Sequence, residues 1–179
     1  MTPPLDTPTP ETPTSDTPPP DTQILMDAPA LDAFMAQAFG QPLNWTIERV
    51  DLDGIRVRQP TTQAQSRPGG TVSGPTLMAM ADGVAYMALL SRIGPAALAV
   101  TSNLNINFLR RPRLVDLVTD ARPLKIGRNL AVIEVSVFSD GGQAEDLQKP
   151  VAHATVTYSL TLLGSPIESR TITEGGTQA

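Results

Sequence analysis

The chain lacks several residues on which common enzyme classes depend. It contains no cysteine and a single histidine, His153, among its 179 residues. The absence of cysteine excludes disulfides, thiolate zinc sites and a cysteine nucleophile, and it fits a reducing compartment, so we expect a cytoplasmic location. One histidine leaves little scope for a histidine-based metal site or a Ser-His-Asp triad, so no bound metal is expected.

Charge and hydropathy exclude further classes. The formal net charge is −5, but Asp6, Glu11, Asp16 and Asp21 all lie near the N-terminus, which leaves the remainder of the chain nearly neutral. Because there is no basic excess, no nucleic-acid partner is expected. No basic and apolar leader begins the chain, and no apolar run approaches the ~20 residues of a membrane span, so we expect neither secretion nor a membrane partner.

Composition divides the chain into three parts. Residues 1–23 repeat an acidic residue, threonine and proline every five residues, and this density of proline and like charge predicts a disordered acidic tail. Residues 24–164 carry the periodic patterns of one folded domain. Residues 165–179 lack such patterns and are predicted to form a flexible C-terminal tail.

The folded domain begins with a short helix and a hairpin. Asp27 is a candidate N-cap, and Gly40 marks the end of the amphipathic helix that follows it. Strands are then predicted over 45–52 and 55–58, on either side of Asp53-Gly54, a dipeptide typical of tight hairpin turns.

Residues 60–74, rich in Gly, Thr, Ser and Pro, are predicted to form a loop. A long apolar helix follows, predicted over 75–90 and ended by Gly94-Pro95. Asp82 is the one charged residue inside it. A lone carboxylate in an apolar helix is costly to bury unless it is hydrogen-bonded, paired or used in chemistry. Asp82 is therefore the first candidate functional residue, and a structural acid held by backbone donors is the alternative.

Four strands without further helices complete the domain, predicted over 98–109, 116–125, 130–138 and 151–163. Each alternates apolar and polar residues and so has one buried face. Short turns make such strands largely antiparallel, and only the long helix can cover their apolar face. We therefore predict an α+β fold, a curved antiparallel sheet wrapped around one central helix. A helix that is apolar on all sides also needs cover from a second subunit.

Four motifs in this order resemble the hotdog-fold acyl-CoA thioesterases, in particular the phenylacetate-pathway type. They are Ser73-Gly74-Pro75 at the start of the helix, Ala81-Asp82 within it, LNINFLRRP over 104–112 and GRNLAV over 127–132. The resemblance covers roughly residues 30–163. It implies a hotdog fold and hydrolysis of an acyl- or aryl-CoA thioester by a homodimer or homotetramer. Coenzyme A enters only as part of the substrate, and no other cofactor is implied.

The resemblance also implies roles for single residues. Asp82 matches the carboxylate that acts as nucleophile or general base, and Gly74 matches the glycine whose backbone N–H polarises the thioester carbonyl. Ser73 stands where the family has a histidine, which makes it a third candidate catalytic residue, although it is also the expected N-cap of the helix. Tyr86, one turn beyond Asp82, either lines the acyl pocket or packs in the core. Pro75 departs from the family pattern because it has no N–H to donate.

Arginines are the expected ligands of the coenzyme A phosphates. Arg110, Arg111 and Arg128 lie at predicted strand ends and are candidates for this role. Arg67 stands where relatives often carry an amide that helps to hold the attacking group. If Arg67 reached Asp82, a salt bridge would replace that amide and weaken or abolish activity.

The spacing of Gly74 and Asp82 limits any catalytic interpretation. Eight residues along a helix span about 12 Å at ~1.5 Å per residue, which is too far for both groups to act on one carbon atom. A catalytic site therefore needs Gly74 from one subunit and Asp82 from another. Two alternatives stay open: a non-catalytic acyl-CoA or acyl-carrier binding module, and an interaction protein that uses the acidic tail. A hotdog dehydratase is disfavoured because His153 faces outward on its strand.

Overall fold

The computed structural model describes residues 23–96 and 98–160. The predicted tails lie outside the described residues, apart from Gln23. The elements in chain order are α1 (Ala28–Phe39), β1 (Thr46–Asp51), β2 (Gly54–Gln59), β3 (Ser66–Arg67), β4 (Thr71–Val72), α2 (Gly74–Ile93), β5 (Val100–Phe108), β6 (Asp116–Ile126), β7 (Leu130–Asp140) and β8 (Ala152–Ser159).

Six strands form one antiparallel sheet in the order β1-β2-β6-β7-β8-β5, and α2 contacts five of them. This confirms the predicted α+β fold of a curved antiparallel sheet around one long helix. β5 pairs with β8 rather than with the next strand along the chain, so it forms one edge of the sheet. β1 forms the other edge.

The alternating inward residues of β7 and β8 build the core, as their patterns predict, whereas β5, which was also predicted to have one buried face, has no buried residue within a single chain. Those of β7 and β8 are buried, as are most residues of α2. Each fully buried aliphatic side chain contributes about 1.5–3 kcal/mol relative to an exposed one. The inward residues of β7 and the segment that contains β8 are Ala131, Ile133, Val135, Val137, Ala154, Val156, Tyr158 and Leu160.

The β1–β2 hairpin turns where Asp53-Gly54 predicts it. Asp51 Oδ1 accepts hydrogen bonds from the N–H groups of Asp53 and Gly54, at 2.8 and 3.0 Å. Gly54 has φ of 144°, and a Cβ at this position would lie 2.2 Å from the Ala121 carbonyl oxygen on β6. Glycine is therefore required here both by the backbone conformation and by the close approach of β6.

Helix α2 begins one residue earlier than predicted and ends at Ile93, just before Gly94. By length and composition alone it is apolar enough to cross a membrane, which corrects the prediction that no segment of this kind is present. The central helix of a folded domain has the same composition. At its C-terminal end the buried Arg92 side chain donates to the Leu52 carbonyl and links α2 to the β1–β2 turn.

The segment 60–74, predicted as a loop, contains the short β3–β4 hairpin. It is attached to the start of α2 because the Ser73 N–H donates to the Gln65 carbonyl at 2.8 Å. It is attached to the end of β5 because the Val72 N–H donates to the Pro112 carbonyl at 3.3 Å. These bonds place Arg67 beside the first turn of α2.

Candidate active site

Two open cavities lie along α2, one beside each candidate functional residue. The first, of about 510 Å³, is lined by Gly74, Phe108 and three arginines, and we call it the Gly74 cavity. The second, of about 410 Å³, is the Asp82 cavity. Its lining residues include Ala38, Phe39, Asp82, Gly83, Tyr86, Thr101 and Tyr158.

Gly74 is the first residue of α2 and contributes an N–H of the first turn. Such N–H groups have no acceptor within the helix, and the helix dipole favours negative charge beside them. Ser73 is the N-cap, as predicted: its hydroxyl accepts from the Thr76 N–H at 3.4 Å and bonds to the Thr76 hydroxyl at 2.8 Å. A Cβ on Gly74 would lie 3.4 Å from the ring of Phe108. Gly74 can therefore donate to a carbonyl or an oxyanion that enters the cavity.

Three arginines give the Gly74 cavity a positive charge. Arg110 donates to the Pro150 carbonyl at 2.7 Å, and Arg111 donates to the Gly69 carbonyl at 2.9 Å. Both side chains are exposed, and each guanidinium keeps further N–H groups for a ligand. Arg67 lines the same cavity. The arrangement favours an anionic ligand.

Within a single chain the candidate arginines lie at separate places. Arg67 lies at the Gly74 cavity and forms no ion pair with Asp82 of the same chain. The candidate arginines at the strand ends are also far apart in one chain. Arg110 follows the end of β5 that pairs with Ala152, whereas Arg128 precedes the end of β7 that pairs with Ser159. The length of β8, about 25 Å at ~3.3 Å per residue, lies between these ends.

Asp82 is half-buried at the Asp82 cavity and is held by two hydroxyl groups. Thr101 Oγ1 donates to Asp82 Oδ1 at 2.8 Å. The Tyr158 hydroxyl donates to the Asp82 carbonyl oxygen at 2.8 Å and also lies 3.1 Å from Oδ1. Thr101 and the longer branch of the shared Tyr158 hydrogen bond therefore hold the same carboxylate oxygen. The carboxylate is therefore available as a base or nucleophile beside the cavity.

Aromatic rings line the inner side of the Asp82 cavity. The Tyr86 ring lies between Phe34 and Tyr158, with centroid distances of 6.4 and 6.0 Å, and its hydroxyl donates to the Ala96 carbonyl at 3.1 Å. Burial raises the pKa of Tyr86, so its phenol stays neutral. Of the two roles predicted for Tyr86, lining a pocket and packing in the core, the structure shows both. This cavity suits an uncharged group.

Sequence reasoning missed Thr101 as part of the site. Strict alternation from Leu104 would turn Ser102 toward α2 and Thr101 away from it. A register shift between Thr101 and Asn103 breaks that alternation and allows Thr101 to reach Asp82. The alternation of its strand, in which His153 faces outward, predicts that Tyr158 is buried but not that it contacts Asp82. A buried phenol needs a hydrogen-bond partner, and that signal was available in the sequence.

His153 lies outside both cavities. It faces outward on β8, as predicted, and its Nε2 is 3.2 Å from Glu134 Oε1. Within residues 23–96 and 98–160, no three His, Asp or Glu side chains converge as metal ligands.

Several known proteins are similar to this chain in sequence and fold. A family model described as the thioesterase superfamily matches residues 69–145. A structure from Silicibacter sp. TM1040, described as a thioesterase, is 38% identical, covers 78% of this chain and 94% of its own, and has a TM-score of 0.68.

Two further solved structures are similar. One from Ralstonia eutropha JMP134, described as a thioesterase and a phenylacetic acid degradation-related protein, is 30% identical over 70% of this chain and 98% of its own, with a TM-score of 0.59. A hypothetical thioesterase from Streptococcus pneumoniae TIGR4, solved with coenzyme A, is 23% identical over 74% of this chain and 97% of its own, with a TM-score of 0.59. The latter similarity concerns the fold.

Proposed function

Since the chain belongs to the thioesterase superfamily and is a thioester hydrolase, we propose that it hydrolyses acyl-CoA thioesters at a site shared by two subunits. Asp82 of one subunit supplies the carboxylate, and Gly74 of the partner subunit supplies the N–H that stabilises the oxyanion. One observation carries the proposal: Gly74 and Asp82 lie at separate cavities along α2, each holding what the other lacks.

The reaction needs a base or nucleophile and an oxyanion donor. In the general-base route, the Asp82 carboxylate takes a proton from water as the water oxygen bonds to the thioester carbon. The carbonyl electron pair moves to oxygen, where the Gly74 N–H donates to it. When the carbonyl re-forms, the carbon–sulfur bond breaks, and the thiolate takes the proton from Asp82. The products are a carboxylic acid and free coenzyme A.

In the nucleophilic route, an Asp82 oxygen bonds directly to the thioester carbon. Loss of the thiolate leaves an acyl-aspartyl anhydride. Water then cleaves the anhydride to the acid and regenerates the Asp82 carboxylate, and the second proton of that water goes to the thiolate, which leaves as free coenzyme A. Both routes use the same carboxylate and the same oxyanion donor. The proposed site therefore does not depend on the choice between them.

The edge strand β5 provides the means to join the two cavities. Thr101, at the beginning of β5, lines the Asp82 cavity, and Phe108, at its end, lines the Gly74 cavity. If two copies of β5 pair antiparallel about a twofold axis, the beginning of one strand meets the end of the other. Each Asp82 cavity then faces the Gly74 cavity of the partner, and two equivalent sites form.

The two edges of the sheet differ in a way that favours pairing through β5. β1 carries Glu48, Arg49 and Asp51, and charges of this kind protect an edge from pairing. β5 has no charged residue, and the apolar Val100 and Phe108 are 51% and 53% exposed. Burial of these side chains against a second copy would stabilise the dimer.

The same twofold arrangement would gather the arginines that a single chain separates. Arg128 lies at the end of the sheet where β5 begins, so in the dimer it approaches Arg110 and Arg111 of the partner subunit. Coenzyme A carries several phosphates, and a basic cluster of this kind suits them. The similar Streptococcus pneumoniae structure was solved with coenzyme A, which supports this class of ligand.

In the proposed site the acyl group occupies the apolar Asp82 cavity. The similarity to the Ralstonia eutropha protein supports a relationship to the phenylacetate-pathway type. A panel of short, medium, long and aromatic acyl-CoAs, followed by release of the free thiol, identifies the preferred acyl group.

Replacement of Asp82 by asparagine tests the function. D82N keeps the size of the side chain but removes its basicity, so thiol release should fall by at least ~100-fold for every substrate. Coenzyme A binding, measured by calorimetry, should persist. Unchanged turnover in D82N would contradict the proposal. Coenzyme A binding by a wild-type protein that releases no thiol from any substrate would instead indicate a binding module.

A further inference from the structure

The two carboxylate oxygens of Asp82 have different surroundings. Oδ1 accepts from Thr101 Oγ1 at 2.8 Å, and the phenol oxygen of Tyr158 lies 3.1 Å from the same atom. No hydrogen-bond donor in residues 23–96 or 98–160 reaches Oδ2. Thr101 donates its hydroxyl hydrogen to Oδ1, and Tyr158 shares its single hydrogen between the Asp82 carbonyl oxygen and Oδ1, so both hydroxyl groups hold the same carboxylate oxygen and leave the other without a protein partner in the described part of the chain.

The sheet holds these two donors rigidly. Thr101 on β5 and Tyr158 on β8 are direct cross-strand partners. Tyr158 is also paired with Ala131 of β7 and is 2% exposed. Its hydroxyl donates to the backbone carbonyl of Asp82 at 2.8 Å, which fixes the phenol relative to α2 as well as to the side chain.

The protonation state of Tyr158 suits a permanent donor. Burial raises the pKa of its phenol, and the neighbouring Asp82 carboxylate raises that pKa further. The phenol therefore remains protonated throughout the physiological pH range. It cannot compete with Asp82 as a base, and it continues to donate.

We propose that Tyr158 is a positioning residue for thioester hydrolysis: together with Thr101 it holds Oδ1 of Asp82 and presents Oδ2 to the reacting atoms. The inference rests on the proposed function of Asp82. In the general-base route Oδ2 takes the proton of water, and in the nucleophilic route Oδ2 bonds to the acyl carbon. A carboxylate without these bonds would rotate about its side chain and spend part of its time turned away from the cavity.

The Tyr158→Phe variant removes the hydroxyl and keeps the ring that packs against Tyr86. Because the lost bond orients a group and does not bind substrate, kcat should fall about tenfold while KM stays within about twofold. The matched control is Thr119→Val. Thr119 is a fully buried inward residue of β6 whose hydroxyl has no partner among the described residues, and this variant should keep the wild-type kcat and KM.

The outcomes separate this inference from the proposed function. If wild-type activity depends on Asp82 but Y158F keeps the wild-type kcat, the positioning role is wrong and the proposed function stands. If D82N retains activity, both are wrong. If Y158F lowered kcat, raised KM to a similar extent and had a lower Tm than that of T119V, Tyr158 would have a structural role only. This result would also overturn the inference.

If Y158F does not fold, Thr101→Val provides the test. This variant removes the other donor to Oδ1, and it lies on the edge strand β5 and not in the core. The proposed arrangement then requires a lower kcat at unchanged KM. A wild-type kcat in T101V would overturn it. Thr101→Ser, which keeps a hydroxyl, should restore most of the lost kcat.

Discussion

The Gly74 cavity and the Asp82 cavity lie on the same helix, and they differ in almost every chemical property. Among the described residues, the first is lined by a helix N–H and three arginines but by no carboxylate. The second is lined by a carboxylate, two hydroxyl donors and aromatic rings, and no cation of the described part of the chain lines it. Eight residues of α2 separate Gly74 from Asp82.

The proposed function accounts for this difference, because it makes the two cavities complementary halves of one site. The Gly74 cavity can hold phosphate groups and polarise a carbonyl, but it has no base. In the proposed site the Asp82 cavity supplies the base and an apolar surface for the acyl group, and the hydroxyl groups of the described residues that line it already donate to Asp82 or to the Ala96 carbonyl. Each cavity lacks what the other supplies, which is the property expected of two halves of one site.

The largest effect is expected from variants that disable one cavity each. Gly74→Pro deletes the N–H, and proline is favoured at the first position of a helix. The preceding Ser73 has φ −75° and ψ 152°, an extended conformation compatible with a following proline. D82N disables the other cavity. Each variant alone should lose about 100-fold or more in kcat, since one oxyanion donor or one base is removed.

Mixing the two variants tests whether the cavities act in pairs. If each site takes Asp82 and Gly74 from different chains, a random 1:1 assembly of D82N and G74P has both groups intact in about a quarter of its sites. Co-expressed variants should therefore recover about a quarter of wild-type kcat per site. No recovery in assemblies shown to contain both chains would place the whole site in one chain. Gly74→Ala, which keeps the N–H, should lose much less activity than G74P.

A smaller effect is expected from the arginines of the Gly74 cavity. The double variant R110Q/R111Q removes two exposed charges, so KM for acyl-CoA should rise about tenfold while kcat is unchanged. A thioester of the same acyl group on a short thiol without phosphates should show no change in KM. Arg122→Gln, an exposed arginine paired with Glu134 on the outer face, is the control and should leave both constants unchanged. An equal KM change for both substrates would contradict phosphate binding.

The fold could be predicted from the sequence because its determinants are local or periodic. The Asp53-Gly54 turn, the Ser73 N-cap and the alternation of β7 and β8 each fix one element. The long apolar helix could be covered only by the sheet that follows it. The hairpin within the segment 60–74 could not be predicted, because β3 and β4 have two residues each and two residues are too few for a periodic pattern.

The site was predicted less completely, for reasons that the structure makes plain. Asp82 was found because it is the one charge in an apolar helix, and its separation from Gly74 followed from helical rise. Thr101 was missed because a register shift in β5 reverses the direction that alternation assigns to it. Whether Arg67 reaches Asp82 was left open because sequence gives no direction to a loop residue. The hydrogen bonds accepted by Gln65 and Pro112 place the loop of Arg67 at the other cavity of the same chain.

The smallest effect is expected from substitution of Tyr86. This substitution tests whether the acyl group binds in the Asp82 cavity and the phosphates in the Gly74 cavity. Tyr86→Leu removes part of the ring that lines the Asp82 cavity, so the preference for longer over shorter acyl groups, as a ratio of kcat/KM, should rise about five- to tenfold. Tyr86→Phe keeps the ring and loses only the bond to the Ala96 carbonyl, so it should keep the wild-type ratio. Because the acyl group and the phosphates occupy different cavities in the proposed site, Y86L should leave the KM effect of R110Q/R111Q unaltered. If the ratio of kcat/KM for longer and shorter acyl groups changed equally in Y86L and in R110Q/R111Q, the acyl group and the phosphates would not bind in separate cavities.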